Sequence, residues 1–398
     1  MMGEWQRGWR TVLGAALAAG TGVNLLYFVF SLFISPLQKE TGWTLGQFSQ
    51  MQALVGLGSL AAPLAGWAMD RYGFRQVWAA GMVAIAALYL ILGFTPLIPS
   101  LFGSMVFVTG FLGVATTSIS YTRAVNGWFD RNRGMALALA ATGVSVAAVL
   151  SPPLIEWLIS NHGWRSGYLA LGGLALLVGL PAILFLVADV PRPLVSLAPS
   201  LPGFGAAGFQ RQPAFWLLCL AYVGINLPSS GMLSQMAPML LEEGLTSAQA
   251  AIGISSYAVG QFFGRLLCGW LLDKTHPQRI AFVFTLVPAI GCTLLWQTQN
   301  HYAAALLAVA AIGVQQGAEI DLLGFFVARR FGLERYGSIY GWIQVAGWMG
   351  TLTGVLLFGK VHDWTGSYTL FQISAIVCYV VAAATFLAIR LPPQRLFT

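Results

Sequence analysis

The chain has 398 residues, of which 57% are hydrophobic and only 8% charged, whereas soluble domains carry roughly 25% charged residues. A mean hydropathy of +0.74 and repeated apolar runs of about 20 residues exclude a soluble globular domain and indicate a polytopic membrane protein. The net charge of +7 is spread between the apolar segments rather than gathered in a patch, so it does not indicate nucleic-acid binding.

Twelve apolar stretches, which we number spans 1 to 12, predict twelve transmembrane helices. Their expected bounds, in chain order, are about 11–35, 47–69, 76–95, 100–122, 135–157, 167–188, 213–239, 249–272, 280–298, 302–328, 338–360 and 368–390. The only long connector, 189–211, is rich in proline and glycine. We therefore expect a cytoplasmic linker there, between six-span halves at 1–188 and 212–398.

Basic residues are unevenly shared between alternate loops. The side that carries both termini collects sixteen of the twenty Lys and Arg residues, and the other side holds only Lys39, Arg165 and Lys360. The positive-inside rule therefore predicts that both termini are cytoplasmic in the cell membrane, which is the inner membrane in a bacterium.

Short sequence echoes relate the two halves. They are GVNL at 22–25 and GINL at 224–227, ETGWT at 40–44 and EEGLT at 242–246, and GWAMDR at 66–71 and GWLLDK at 269–274. Three matches in one order, 202 or 203 residues apart, indicate a duplicated six-span unit. The expected fold class is therefore an all-α membrane protein with two pseudo-symmetric six-helix bundles and a substrate site between them.

Arg265 lies inside the expected span 8. The next polar positions, Asp273 and Lys274, come eight residues later, so at ~1.5 Å per residue the arginine lies roughly 12 Å below the membrane surface. Intramembrane charges are costly and mark functional sites. We therefore expect Arg265 to bind an anion in a membrane cavity, and the alternative is a side chain that reaches the nearer interface.

Two acidic residues lie at a similar depth in span 10. Glu319 precedes the pair Arg329 and Arg330 by ten residues, roughly 15 Å, and Asp321 lies about 200° from it around the helix. The repeat aligns Glu319 with the polar stretch of span 4, which favours it as the cavity-facing acid. We expect it to couple proton and anion binding, with Asp321 as the second candidate; a permanent ion pair between Arg265 and Glu319 is the alternative.

Further residues are candidates for completing the pocket, namely Asn24, Tyr27, Tyr121, Asn226, Tyr257, Gln261 and Trp348. The two asparagines occupy equivalent places in spans 1 and 7, where an amide can bind a carboxylate or join two helices. Tyr257 and Gln261 lie on roughly the same helix face as Arg265. Tyr27, Tyr121 and Trp348 can form apolar walls of the pocket, and the alternative is that they only pack against neighbouring helices.

Charged residues next to the cytoplasmic loops are candidates for a gate that latches one state of the transport cycle. They are Asp70, Arg71, Arg75, Arg131, Arg133, Asp273, Lys274, Arg329 and Arg330. The alternative is that these residues only set topology and anchor the helices at the interface.

The loop between spans 2 and 3, GWAMDRYGFR at 66–75, resembles the signature of the major facilitator superfamily, a glycine followed by Asp-Arg-x-Gly and a basic residue. Within that superfamily, WFDRNRGMALALAATG at 128–143 and the Trp9-Arg10 pair are similar to the monocarboxylate porter branch, which includes oxalate/formate-type exchangers. The resemblance implies that Arg265, at the matching position in span 8, binds the substrate carboxylate.

The chain also departs from that branch. Where eukaryotic members pair the arginine with an aspartate one turn earlier, this chain has Gln261, and its span 1 has no lysine. Where the oxalate exchangers carry a basic residue in span 11, this chain has none before Lys360. A substrate with one carboxylate is therefore expected rather than a dicarboxylate.

The residues and the resemblance together predict a secondary active transporter of a small organic monocarboxylate, coupled to protons and working by rocker-switch alternating access. An organic anion exchanger or uniporter without proton coupling is the alternative, which Gln261 favours. An enzyme is not expected, because no nucleophile–base pair or metal cluster occurs at membrane depth, and neither a metal nor a cofactor is predicted. The expected partners are a small carboxylate, a proton and the bilayer, with the chain acting as a monomer.

Overall fold

The structure is a computed structural model that describes residues 4–58, 61–129, 133–188, 209–272, 275–297, 301–331 and 336–389. These residues are almost entirely helical, and no strand occurs among them. Each predicted span coincides with a helical segment, which confirms the all-α fold class.

The helices of spans 1 to 6 extend beyond or break within the expected bounds. In chain order they are Glu4–Gly20 with Asn24–Thr41, Leu45–Gly58 with Ala62–Tyr72, Phe74–Phe94, Pro99–Gly113 with Ser118–Asn126, Arg133–His162, and Trp164–Leu174. Span 4 contains a 3-10 turn at Val114–Thr116, and span 6 ends in two π-helical turns, Ala175–Gly179 and Ala182–Leu186.

The helices of spans 7 to 12 are longer and less interrupted. They are Pro213–Ser234 with Met236–Glu242, Ser247–Leu272, Pro277–Gln297, Tyr302–Phe331, Tyr336–Thr365 and Thr369–Ala388. Each begins and ends within a few residues of the predicted bounds, and the longest extend past the apolar stretch into polar ends.

Ten helical stretches within the described residues are long and apolar enough to cross a membrane. The other two predicted spans are spans 2 and 8. The helix of span 2 is described in two pieces, Leu45–Gly58 and Ala62–Tyr72, and span 8, Ser247–Leu272, is long enough but carries polar residues that include Arg265. A span that is less apolar than its neighbours is typical of a helix that faces other helices or a cavity.

The chain forms two compact units. The first comprises Met1–Val195, Ser234–Glu242 and Thr246–Ser255, and the second comprises Ser196–Leu233, Glu243–Leu245 and Ser256–Thr398. The predicted halves, 1–188 and 212–398, stay a prediction because residues 189–208 of the connector lie outside the described part of the chain.

Two polar contacts attach parts of spans 7 and 8 to the first unit. Gln235 donates from Nε2 to Ser49 Oγ at 3.0 Å and to the Leu45 carbonyl at 3.3 Å. Ser255 donates from Oγ to the Val149 carbonyl at 2.7 Å. Buried side-chain amides and hydroxyls require such partners in an apolar surrounding, so these bonds fix where the two segments pack.

Spans 8 and 10 of the second unit lie backbone against backbone. Each carries two glycines four residues apart, Gly260 and Gly264 in span 8 and Gly313 and Gly317 in span 10. A Cβ atom added to any of them would overlap a backbone carbonyl oxygen of the other helix. Small residues at this spacing allow membrane helices to approach closely.

The same close approach occurs between spans 2 and 4 of the first unit. A Cβ atom on Gly58 would overlap the backbone at Gly110, and one on Gly110 would overlap the Val55 carbonyl. Gly58 and Gly260 are 202 residues apart (260 − 58), and Gly110 and Gly313 are 203 apart (313 − 110). These offsets equal those of the repeated sequence motifs, so the same glycine-mediated helix contact occurs once in each unit.

We predict that Gly317→Ala will destabilise the protein by about 1–3 kcal/mol, the usual cost of overpacking, because the added methyl group meets rigid backbone. Thermal unfolding of the purified protein in detergent measures this. Gly269→Ala is the matched control in span 8, since no atom lies within 4 Å of its added Cβ. Equal unfolding temperatures for the two variants would contradict the close packing of spans 8 and 10.

Candidate functional site

Arg265 lies in span 8 against the glycine face of span 10. Its side chain is half-buried, and its Nε donates to the Gly317 carbonyl over 3.5 Å, which is at the long limit of a hydrogen bond. Because Gly317 has no side chain, the arginine stem can cross the partner helix there. Among the described side chains, no carboxylate lies within ion-pair distance of this guanidinium. Its positive charge is therefore not compensated by them.

Glu319 lies in span 10, two residues after Gly317, and only 5% of it is exposed. Its Oε1 accepts a hydrogen bond from Asn226 Nδ2 at 2.6 Å, and its Oε2 accepts one from Gln316 Nε2 at 2.6 Å. The permanent ion pair between Arg265 and Glu319, the alternative raised by the sequence, is not formed among the described residues. Neutral amides, not a cation, hold this buried carboxyl group.

Asn226 connects Glu319 to span 11. Its Oδ1 accepts from Thr351 Oγ1 at 3.3 Å, and Thr351 Oγ1 in turn accepts from Ser230 Oγ at 3.2 Å. Asn226 Nδ2 also donates to the Tyr222 carbonyl at 3.0 Å. A chain of hydrogen bonds therefore runs from span 7 through span 11 and back through Asn226 to the carboxyl group of span 10.

The direction of these bonds depends on whether Glu319 carries a proton. As drawn, both carboxyl oxygens accept, which suits the ionised form. A protonated carboxyl group is also a donor, so one of its two amide partners must then present its oxygen instead. If the side-chain amide of Asn226 turns over, its oxygen accepts from the protonated Glu319 and its NH₂ group donates to the Thr351 hydroxyl. That hydroxyl must then donate to Ser230 instead of accepting from it. The proton state of Glu319 is thereby linked to contacts of spans 7 and 11.

The polar site of the first unit is built differently, at breaks in spans 1 and 4. Span 1 is interrupted between Gly20 and Asn24, and the Val23 amide donates to Thr116 Oγ1 at 2.9 Å. Span 4 breaks at Thr117, whose backbone is extended with φ −86° and ψ −166°. Broken helices at membrane depth free backbone groups and are typical of substrate and ion sites in transporters.

The predicted pocket residues fall in both units. In the first unit, Asn24 begins the second helix of span 1 and is half-buried, as are Tyr27 and Tyr121. Because span 1 breaks just before Asn24 whereas span 7 continues through Asn226, the two equivalent asparagines have different surroundings.

In the second unit, the remaining predicted pocket residues differ in exposure. Gln261 is half-buried one turn before Arg265, Tyr257 is 1% exposed and Trp348 is 48% exposed. The burial of Tyr257 favours packing, and the engaged amide of Asn226 favours holding Glu319, over direct substrate contact.

Only part of the predicted gate can be described. Arg131, Asp273 and Lys274 lie outside the described residues, as do the side chains of Asp70, Arg133 and Asp321. The gate therefore stays a prediction, because both of its acids, Asp70 and Asp273, belong to this group.

The described basic residues make local contacts. Arg75 donates from Nε to the Ile183 carbonyl at 3.3 Å and from Nη2 to the Leu184 carbonyl, so it caps the end of span 6. The Arg71 guanidinium lies 5.6 Å from the Trp67 ring centre, and that of Arg329 lies 5.7 Å from the Phe325 ring centre. Arg330 is half-buried at the end of span 10.

The sequence analysis missed three residues around Glu319. Gln316 lies three residues earlier on the same helix, a spacing that places side chains together and that could have been read from the sequence. Thr351 and Tyr222, whose hydroxyl donates to the Glu319 carbonyl, come from distant spans and leave no local pattern. No group of three or more metal-binding side chains occurs within the described residues.

The helical spans and the buried charges define a multi-pass membrane protein with polar groups inside its bundles. The family model of the Major Facilitator Superfamily matches residues 12–242 and 218–397. The chain therefore belongs to the Major Facilitator Superfamily, a family of transporters, and the fold predicted from the sequence is confirmed.

Relatives of known name cover most of the chain. It is 27% identical to Monocarboxylate transporter 13 of Rattus norvegicus, over 97% of this chain and 87% of that protein. It is 27% identical to Monocarboxylate transporter 11 of Homo sapiens, over 97% and 83%, and 25% identical to a gallate transporter of Pseudomonas putida, over 88% and 86%. The predicted resemblance to monocarboxylate transporters is confirmed.

A solved structure shows the same fold at lower identity. A bacterial homologue of the human lysosomal transporter Spinster superimposes with a TM-score of 0.70 and 15% identity, over 98% of this chain and 97% of that one. At this identity the likeness concerns the fold alone.

We predict that Asn226→Ala will lower stability by about 1–3 kcal/mol in the wild type, because it leaves Glu319 short of a buried partner. The loss should be smaller in a Glu319→Gln background, where the acceptor carries no charge. Thermal unfolding of the four proteins of this double-mutant cycle measures the difference. Asn24→Ala, in the other unit, is the control and should cost the same in both backgrounds; equal costs for Asn226→Ala would contradict the pairing.

Proposed function

We propose that this transporter moves a small organic monocarboxylate together with a proton by rocker-switch alternating access. Arg265 binds the substrate carboxylate, and Glu319 binds the proton. In this proposal the protein lies in the cell membrane with both termini in the cytoplasm and works as a monomer.

The observation that carries the proposal is the charge of Arg265, for which the described side chains supply no carboxylate within ion-pair distance. A guanidinium at membrane depth requires an anion, because an isolated charge in an apolar surrounding is costly. The nearest buried acid, Glu319, is engaged by Asn226 and Gln316 instead. A substrate carboxylate can supply the missing negative charge, and the planar guanidinium can bind its two oxygens at once.

The chemistry of the site favours a substrate with one carboxylate. No basic residue stands in span 11 before Lys360, so no cation of that span is available at depth for a second carboxylate. Relatives named as monocarboxylate transporters and as a gallate transporter support this class, since gallate also carries a single carboxylate.

Glu319 provides the proton site in this proposal. It follows Gly317, the residue whose carbonyl Arg265 contacts, by two residues in span 10, so the arrival of an anion at Arg265 favours proton uptake by this carboxyl group. In this proposal Asn226 is the amide that turns over on proton uptake, which reverses the hydrogen bonds through Asn226 and Thr351. Spans 7 and 11 thereby respond to the loaded state.

Exchange or uniport of an organic anion without a proton is the second candidate. Gln261 favours it, because this neutral amide stands where a titratable aspartate is found in the proton-coupled branch that the sequence resembles. In that case Glu319 stays ionised throughout the cycle and only balances charge.

We predict that Arg265→Ala will lower the kcat/KM of uptake about 10- to 100-fold or more, since a buried charged hydrogen bond is lost. Arg265→Lys keeps the charge but loses the bidentate geometry, so its kcat/KM should lie between those of the wild type and Arg265→Ala. Uptake of labelled lactate, pyruvate and gallate into proteoliposomes with an inward proton gradient measures the effect. Arg279→Ala, an exposed arginine of the same unit, is the control; an unaffected Arg265→Ala transporter would contradict the assignment.

We predict that Glu319→Gln will abolish accumulation driven by a proton gradient while exchange of labelled for unlabelled substrate continues. The neutral amide keeps the shape of the side chain but cannot release a proton. Gradient-driven uptake and exchange are compared in the same proteoliposomes. Wild-type uptake that ignores the gradient would favour the uncoupled exchanger, and gradient-driven uptake by Glu319→Gln would exclude Glu319 as the proton site.

A further inference from the structure

A second buried carboxyl group, Glu156, lies far from Glu319 in the chain and has no part in the site described above. It stands in span 5, six residues before that helix ends at His162, and is 6% exposed. Its Oε1 accepts a hydrogen bond from Ser160 Oγ at 2.5 Å, one turn later on the same helix. Carboxyl groups are rarely buried to this degree without a cationic partner.

Glu156 lines a cavity of about 180 Å³ that belongs to the first unit. Span 1 contributes Ser35 and Lys39 to its wall, the end of span 7 contributes Ala237 and Leu241, and the start of span 8 contributes Ser247 and Ala250. The segment around Ala237 is attached to the first unit by the hydrogen bonds of Gln235. The cavity therefore lies at a junction between segments from both sequence halves.

The charged groups around Glu156 do not neutralise it. Lys39 is the only other charged residue of the cavity wall; its side chain is exposed, and no ion pair joins it to Glu156 among the described residues. Span 6 packs against span 5, but its Arg165 is 3.5 Å from the Glu40 carboxylate.

The charged or titratable residues at the ends of spans 5 and 7 are not among those that line the cavity. His162 is exposed at the end of span 5, and Glu242 and Glu243 carry negative charge at the end of span 7. The start of span 8, Ser247 to Ala250, carries no charge. Among the described residues, the ionised form of Glu156 thus has one hydroxyl donor and no ion pair, while Lys39 lines the same cavity.

We propose that Glu156 is a proton-binding site that controls this junction. The carboxyl group is ionised when water enters the cavity, and it binds a proton when spans 1, 5, 7 and 8 close around it. The reason is the cost of burying a carboxylate: without a cation it far exceeds the cost of burying the neutral acid. In the proposed orientation the cavity faces the outside, so external protons favour its closed form.

This inference adds a second proton site to the proposed transport cycle and rests on the proposed function only for its orientation. The junction can be tested without any substrate. Ser35→Cys places a thiol in the cavity wall, and a charged, membrane-impermeant maleimide added to intact cells reports whether outside water reaches it. Peptide mapping by mass spectrometry separates this label from any on the four native cysteines.

We expect labelling of Ser35→Cys to fall as the external pH is lowered from about 8 to about 5, with a limiting slope of about tenfold per pH unit for one bound proton. Ser100→Cys, at an exposed position at the start of span 4, corrects for the pH dependence of the maleimide reaction itself. Glu156→Gln imitates the protonated acid, so labelling should be low and independent of pH. Glu156→Asp should restore the pH dependence.

Three results would overturn the proposal. The first is a corrected labelling of Ser35→Cys that does not change with pH in the otherwise native protein. The second is a Glu156→Gln variant that titrates like its parent. The third is a Ser100→Cys control that reacts only from the cytoplasmic side, which would reverse the assigned orientation. None of these results depends on whether Arg265 binds a carboxylate, so the two proposals fail separately.

Discussion

The proposed function depends on one charge, the guanidinium of Arg265 in an apolar helix bundle, which no described side chain balances with an ion pair. A cation at this depth pairs with an anion or with backbone carbonyls; Arg265 reaches one carbonyl over a long 3.5 Å, and the described residues supply no carboxylate within ion-pair distance. The neighbouring acid, Glu319, is satisfied by two amides instead. In the proposed function, an incoming carboxylate balances the positive charge of Arg265, and this attraction is the basis of substrate binding.

Close packing of spans 8 and 10 fixes the position of Arg265 relative to span 10. The glycines of spans 8 and 10 bring the two backbones into contact, so Arg265 meets the Gly317 carbonyl and Glu319 follows two residues later. Glu319 in turn bonds to span 7 and, through Asn226 and Thr351, to span 11. A change in the charge of Glu319 therefore alters hydrogen bonds of spans 7 and 11. Coupling between substrate and proton binding requires such a connection between helices.

The depth of the key charges and the duplication of the fold were predictable from sequence. The contacts between distant spans were not, and the reasons are physical. The depth of Arg265 follows from counting residues to Asp273, and the duplication follows from echoes at a constant offset. The contacts that join Glu319 to other spans could not be derived, because Asn226 is 93 residues away and Thr351 lies beyond it in another span. The break in span 1 was also missed, although Gly20 and Gly22 weaken a helix there; the bond from the Val23 amide to Thr116, 93 residues away, leaves no local pattern.

The central claim, that a substrate carboxylate neutralises Arg265, is tested most directly by ligand-induced stabilisation. The unfolding temperature of the purified protein is measured with gallate or lactate and with their uncharged methyl esters. Binding to the native state raises stability by mass action, so the acids should stabilise the wild type, while the esters should not, and neither should stabilise Arg265→Ala. Equal stabilisation by acid and ester, or an undiminished effect of the acids on Arg265→Ala, would contradict the account.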